Sequence, residues 1–200
     1  MSTDVSKIVT NLLAFYNLTG KTIISVGAGG GQFIEYGRNA EKVYAIDNDE
    51  AALELLKERL LKAELESKFT LIHSDFYLTS QRADVVIFEL SLHELSDTAL
   101  AIGHALTLAS NVIVLDHWIN SQWIYFIDEK EKVTRSWAAL KAFNFSKFQQ
   151  YDTFEFFEDY EELLQMVQGQ GEIAISRIVE FRDQKQFTIP LSYAIALITQ

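Results

Sequence analysis

The sequence predicts an α/β fold in which helices cover a mostly parallel sheet. Short apolar runs suited to buried strands alternate with stretches of helical apolar spacing, a pattern typical of β-α-β units. Four of the nine glycines fall within residues 27–31, between an apolar run and a helical pattern. Residues 172–181 and 187–198 have the composition of two strands joined by a polar turn, which predicts an antiparallel pair at the end of the sheet.

The first half of the chain supplies the alternating elements. Residues 5–16 have the spacing of an N-terminal helix that packs on the sheet edge. Residues 49–65 form the clearest predicted helix, because their leucines and alanines make one apolar stripe. The other predicted helices begin at residue 31 and at residue 97. The predicted strands are residues 23–26, 42–47, 69–75, the first part of 84–95, and 111–116.

The second half is aromatic. All three tryptophans and seven of the 14 phenylalanines lie between residues 118 and 160. We interpret residues 130–143 and 158–168 as helices joined by an aromatic connection, which predicts a helical aromatic insertion at about 118–160. The sequence contains no repeat and no linker, so we expect residues 1–200 to form a single domain.

The glycine cluster predicts a ligand site. A strand that turns tightly into a helix exposes the first N–H groups of that helix and lets a ligand approach bare backbone. A dinucleotide fingerprint that starts at Gly27 requires glycine at position 32, where this chain has Gln32. The spacing is instead G-x-G-x-G, which disfavours a nicotinamide dinucleotide.

With an acid following each of the next two strands, the chain resembles the class I S-adenosylmethionine-dependent methyltransferases over roughly residues 21–116. The resemblance implies a Rossmann-like three-layer sandwich with a seven-stranded, mostly parallel sheet and a C-terminal antiparallel hairpin. It also implies S-adenosylmethionine as cofactor, with Asp47 on the ribose hydroxyls and Asp75 on the adenine amino group. Many members carry an acid two residues before the first glycine, where this chain has Ser25. The implied cofactor-binding residues are Gly27, Ala28, Gly29, Gly31, Asp47, Asn48, Asp75, Phe76 and Glu89.

The candidate catalytic residues are His93, Asp116 and His117, which follow the fourth and fifth predicted strands. Methyl transfer mainly requires alignment of the acceptor and exclusion of water, and it requires a base only where the acceptor is protonated. We expect Glu89 to converge with Asp116 and His117 beside the methyl group. There they would hold a divalent ion, act directly with His117 as the base, or contact only backbone and cofactor. The sequence assigns no metal ligand set.

Composition limits the class of methyl acceptor and the cellular compartment that we expect. The net charge of −11, from 17 basic and 28 acidic residues, argues against nucleic acid as a partner. The only proline is Pro190, so the paired-proline motif of enzymes that methylate adenine N6 or glutamine amides is absent. We expect a small-molecule acceptor, with Trp118 and Trp123 nearest to it. The absence of cysteine, signal peptide and membrane-spanning run predicts a cytoplasmic protein without membrane contacts.

Two alternatives stay open. The first is a module that binds the nucleotide cofactor without methyl transfer and serves a partner protein. Ser25, in place of the acid that many members of the family carry, keeps this alternative open. The second is a nicotinamide-dependent reductase, which Gln32 disfavours. The sequence does not indicate an oligomeric state.

Overall fold

The computed structural model describes residues 5–200, and its seven strands form a single mixed sheet. The strands are β1 (Thr22–Val26), β2 (Lys42–Asp47), β3 (Phe69–His73), β4 (Val85–Glu89), β5 (Asn111–His117), β6 (Phe145–Asp159) and β7 (Lys185–Thr199). Their order is β3-β2-β1-β4-β5-β7-β6. The first five strands are parallel, and β7 runs antiparallel between β5 and β6. This topology confirms the predicted fold class.

Helices lie between the strands and after them. Two helices that lead back to the parallel strands begin at an aspartate, because the side chains of Asp49 and Asp97 accept backbone N–H groups of the first helical turn. Within residues 5–200 no helix is long and apolar enough to span a membrane. The helices are α1 (Val5–Phe15), α2 (Glu50–Lys62), α3 (Thr98–Leu108), α4 (Trp123–Phe126), α5 (Lys130–Leu140), α6 (Tyr160–Val167) and α7 (Glu172–Arg177).

The central strands are buried on both faces, which explains their nearly continuous apolar sequences. In β4, Val85 and Ile87 belong to the core on one face, whereas Val86 and Phe88 belong to the core on the other. The sheet is therefore the middle layer of three, as predicted. Alternation along each strand decides which face receives each side chain, including those at the strand ends.

The structure corrects the predicted second half. Residues 145–159, expected as a connection within a helical insertion, form the long strand β6, which pairs with β7. Aromatic residues recur there at every third position from 145 to 154, whereas a half-buried strand is recognised by apolar residues at every second position. Pairing with β7, rather than this local spacing, determines that the segment is a strand. Residues 172–181, predicted as a strand, are α7 and a short 3₁₀ turn. Ala174 and Ile178 are both fully buried at helical spacing, so helix packing prevails over their β-branched neighbours.

The helical segment between β1 and β2 also differs from the prediction. In place of a helix that opens at residue 31, the chain has one 3₁₀ segment, Ile34–Asn39. A side chain at Gly37 would lie 2.5 Å from the ring of Phe69, so this segment packs tightly on the sheet. The glycine turn consequently stays close to the ends of β1 and β2.

Candidate functional site

A pocket of about 520 Å³ opens at the carboxyl ends of β1, β2 and β4. In the sheet order, β1 lies between β2 and β4, so the topological switch point is here, where open α/β sheets bind ligands. The volume lies within the range of small-molecule sites. The lining residues are Val26, Gly27, Ile46, Asp47, Asn48, Ser74, Asp75, Phe76, Tyr77, Leu90, Ser91, Glu94, Leu95 and Ser96.

The glycine turn forms one wall of this pocket and depends on the absence of side chains. Gly27 has a φ of +70°, and a Cβ there would lie 2.2 Å from the Cβ of Ser91. Ser91 in turn donates a hydrogen bond of 2.7 Å from its Oγ to the carbonyl of Val26. Gly31 has a φ of +76°, and a Cβ there would collide with Leu56. The turn is thus fixed between the loop after β4 and helix α2.

Asp47 lies at the end of β2 and lines the pocket. One carboxylate oxygen accepts the N–H of Gly29 at 2.8 Å, and the other accepts the N–H of Asp49 at 2.9 Å. Each carboxylate oxygen has a further lone pair, so Asp47 can hold the turn in place and also accept hydrogen bonds from ligand hydroxyls.

Asp75 and Phe76 form the far wall of the pocket, beyond β3. Asp75 is exposed and caps the following 3₁₀ turn by accepting the N–H of Tyr77 at 2.9 Å. Phe76 is buried and packs edge-on against Phe88 and His104. Phe76 therefore belongs to the core and still borders the pocket.

The predicted cofactor-binding residues divide into two groups. The members that line the pocket are Gly27, Asp47, Asn48, Asp75 and Phe76. The remaining members support the turn or lie beneath it, namely Ala28, Gly29, Gly31 and Glu89. Sequence reasoning did not assign Ser91, although its place after β4 was a signal that could have found it.

Glu89 is buried beneath the glycine turn rather than in the pocket. Its Oε1 accepts hydrogen bonds from the hydroxyls of Ser25, at 2.5 Å, and of Tyr36. Burial raises the pKa of Glu89 to about 7, although both hydrogen bonds oppose the rise. Ser25 precedes the turn and Tyr36 follows it, so Glu89 ties the two flanks together. Glu89, a carboxylate from β4, thus supports the turn through Ser25, the residue two positions before Gly27.

A second buried cluster surrounds Asp116 on β5. Asp116 Oδ1 lies 2.6 Å from His93 Nδ1 and accepts the N–H of His117 at 2.8 Å. Its Oδ2 accepts the N–H of His93. On the other side of the ring, His93 Nε2 lies 3.2 Å from Glu129 Oε2 and 3.5 Å from Glu94 Oε1. The imidazole therefore lies between three carboxylates.

The three carboxylates set the charge of this cluster. Burial disfavours a charged imidazole, but Asp116, Glu129 and Glu94 outweigh it and raise the pKa of His93 to about 12. The hydrogen bond from His93 is the main cause that lowers the pKa of Glu94 to about 2, and Lys132 adds to it. A histidine that holds its proton so tightly is poorly suited to act as a general base.

The pKa of His117 is shifted in the opposite direction to that of His93. Burial lowers the pKa of His117 to about 4, assisted by the charge of His93 and opposed by that of Asp116. Its ring centre lies 5.7 Å from that of His93, and among residues 5–200 its Nδ1 has no hydrogen-bond partner. His117 is thus a neutral imidazole with a free ring nitrogen.

The structure brings His93, Asp116 and His117 together but leaves Glu89 apart from them. Glu89 pairs in register with Leu115, so its side chain shares a sheet face with Leu115 and faces away from Asp116. Sequence reasoning missed Glu129, which precedes α5 and reaches the cluster only through tertiary packing. Of the two tryptophans expected near the acceptor, Trp123 is buried, and neither lines the pocket.

Comparisons with known proteins agree with this geometry. The family described as a methyltransferase domain matches residues 24–110. The ribosomal protein L11 methyltransferase of Carboxydothermus hydrogenoformans is 31% identical over 96 residues, which cover 46% of this chain and 32% of that protein. The chain thus spans about a third of the length of this curated relative.

Solved structures share the fold at low sequence identity. The YcgJ protein from Bacillus subtilis has a TM-score of 0.71 at 11% identity, covering 98% of this chain and 99% of its own. The magnesium protoporphyrin IX methyltransferase from Synechocystis PCC 6803 with bound SAH has a TM-score of 0.56 at 14% identity, covering 96% and 81%.

Proposed function

We propose that this chain is a class I methyltransferase that uses S-adenosylmethionine and transfers its methyl group to a small-molecule acceptor. The match of residues 24–110 to a methyltransferase domain supports this proposal. The observation that carries the proposal is the pocket at the switch point, bounded by the glycine turn and by Asp47 and Asp75. The pocket volume and the carboxylates of Asp47 and Asp75 suit a ligand with ribose hydroxyls and an adenine amino group.

The cofactor supplies an activated methyl group, so the protein has to bind, orient and exclude water. In this proposal Asp47 accepts hydrogen bonds from the ribose hydroxyls, and Asp75 accepts one from the adenine amino group. The loop after β4, with Leu90 and Ser91 in the pocket wall, would border the methyl group and keep water away.

Among the predicted catalytic residues, we assign the role of proton acceptor to His117. Its ring is neutral, and its Nδ1 has no hydrogen-bond partner within the part of the chain that the structure describes. His117 is buried and lies outside the pocket lining, so this role requires that the ring become accessible to the acceptor. Asp116 and His93 then act as positioning residues, because hydrogen bonds hold both of them in place. These roles remain proposals, as does the cytoplasmic location.

Charge supports a small acceptor over nucleic acid. Acidic residues outnumber basic ones by 11, and an acidic surface repels phosphate. The relatives differ in what their names record, which is a ribosomal protein in one and magnesium protoporphyrin IX in another. We propose a small molecule as the acceptor of this chain.

Two experiments test this function. Calorimetry should show binding of S-adenosylhomocysteine and none of NAD. Methyl-labelled S-adenosylmethionine, incubated with the protein and a cell extract separated by size, should then label the low-molecular-mass fraction. Label confined to protein or RNA would contradict the small-molecule acceptor. Cofactor binding with no labelled product in any fraction would favour the module that binds without turnover.

A further inference from the structure

We propose that His93, Glu94 and Glu129 form a binding site for a divalent transition-metal ion such as zinc. One ligand atom from each of the three residues lies within 4.8 Å of the others, at the side of the pocket. His93 and Glu129 are buried, and Glu94 is half exposed. An imidazole with two carboxylates is a donor set that zinc accepts.

The spacing of the donor atoms fits tetrahedral coordination. His93 Nε2 lies 3.2 Å from Glu129 Oε2 and 3.5 Å from Glu94 Oε1. In a tetrahedral zinc site with bonds of about 2.0–2.1 Å, neighbouring ligand atoms lie about 3.3 Å apart. Both distances from His93 Nε2 are close to that value, and the two glutamate oxygens lie within 4.8 Å of each other.

Asp116 provides the support that a metal-binding histidine requires. Its Oδ1 lies 2.6 Å from His93 Nδ1, so the ring places its other nitrogen, Nε2, towards Glu94 and Glu129. Histidines that bind metals commonly donate their second N–H to a carboxylate in this way, and that partner fixes the ring and its tautomer. The cluster thus has an orienting residue as well as three ligands.

Charge also favours a cation here. Three carboxylates converge on His93, and Lys132 supplies a further positive charge to Glu94 at 2.7 Å. A divalent ion bound at His93 Nε2 would place two positive charges among these carboxylates. It would also compete with Lys132 for the carboxylate of Glu94.

The position of Glu94 indicates how the ion would be used. Glu94 belongs both to this cluster and to the pocket lining, so a free coordination position can face the pocket. An acceptor hydroxyl bound to such an ion would lose its proton more readily. This last step rests on the proposed methyl transfer, whereas metal binding itself does not.

The test is calorimetric titration of the chelator-treated full chain with zinc, in the absence of cofactor. We expect one zinc ion per chain. Glu129→Gln and Glu94→Gln should each weaken zinc binding at least tenfold. Lys132→Ala should tighten it several-fold, because the competing ammonium is gone.

The matched control is Glu131→Gln, which makes the same charge change at an exposed position near the cluster and should leave zinc affinity unchanged. Stoichiometric zinc binding that persists in Glu129→Gln and Glu94→Gln would overturn the assignment, and so would no binding by the wild type at micromolar zinc. Binding of S-adenosylhomocysteine, measured separately, reports on the proposed function alone, so the two failures are distinguishable.

Discussion

Two buried carboxylates at the ends of neighbouring strands behave differently. Glu89 ends β4 and faces one side of the sheet, where its hydrogen bonds come from the hydroxyls of Ser25 and Tyr36. Asp116, near the end of β5, faces the other side and contacts the imidazole of His93. Hydroxyls donate hydrogen bonds but bring no charge, so burial prevails at Glu89 and raises its pKa to about 7.

The difference between the two carboxylates indicates two roles, structural support at Glu89 and charge-based positioning at Asp116. The Glu89 side stabilises the glycine turn with a group that can lose its charge near neutral pH. The Asp116 side holds a buried ion pair between Asp116 and His93, which suits positioning and cation binding. The same change of carboxylate to amide should therefore have opposite effects at the two sites.

The largest expected effect is the loss of stability in Asp116→Asn. Asp116 is the carboxylate nearest to His93, and it also accepts the N–H groups of His93 and His117, so its replacement weakens a buried ion pair and these hydrogen bonds although Glu94 and Glu129 remain. Removing one partner of a buried ion pair typically costs about 3–5 kcal/mol. Urea denaturation in the presence of chelator measures the free energy of unfolding. Asp183→Asn, on an exposed turn, is the control and should change it little. A cost of Asp116→Asn no larger than that of the control would show that the charge of Asp116 does not matter.

Glu89→Gln should stabilise the protein above pH 7. The folded-state pKa of about 7 lies above the ordinary value of 4.5, so the contribution of Glu89 is fully present below pH 4.5 and is lost as the pH rises through 7. That loss is about 3 kcal/mol, and glutamine avoids it because it never ionises. Denaturation at pH 5 and pH 8 should show nearly equal stability at pH 5 and a more stable variant at pH 8. Equal stability of the two proteins at both values would contradict a neutral Glu89.

Asp47→Ala should weaken the binding of S-adenosylhomocysteine roughly tenfold or more, since hydrogen bonds to a charged acceptor contribute about 1.5–3 kcal/mol. The variant also frees the N–H of Gly29, so part of the loss reflects a looser turn. Calorimetry measures the affinity, and Glu50→Ala, exposed at the start of α2, is the matched control. Unchanged affinity in Asp47→Ala would falsify the ribose assignment.

Local sequence patterns predicted the pocket residues whose positions depend only on their own strand and turn. A glycine turn after a strand and an acid at the next strand end identify Gly27 and Asp47, because each position follows from its own element. Predicting the contact between Asp116 and His93 requires knowing that β4 and β5 are neighbours, and the tendency of consecutive strands to pair in parallel sheets indicates this. Glu129 lies beyond β5 in sequence, and only the packing of α5 brings it to His93. Residues 145–159 were predicted as a connection, and their strand could not be recognised locally because its pairing partner, β7, is far along the chain.

Ser25→Ala gives the smallest effect and isolates one hydroxyl on the Glu89 side. Its hydrogen bond lowers the pKa of Glu89, so its removal should shift that pKa further upward. The variant should lose about 1 kcal/mol at pH 5, where Glu89 is protonated, because a buried hydrogen bond between neutral groups is lost. The loss should be larger at pH 8, because hydrogen bonds to a charged carboxylate are stronger. Ser25→Ala combined with Glu89→Gln is the control, in which the extra loss at pH 8 should disappear. A loss in Ser25→Ala that is the same at both pH values would mean that Glu89 does not ionise in this range.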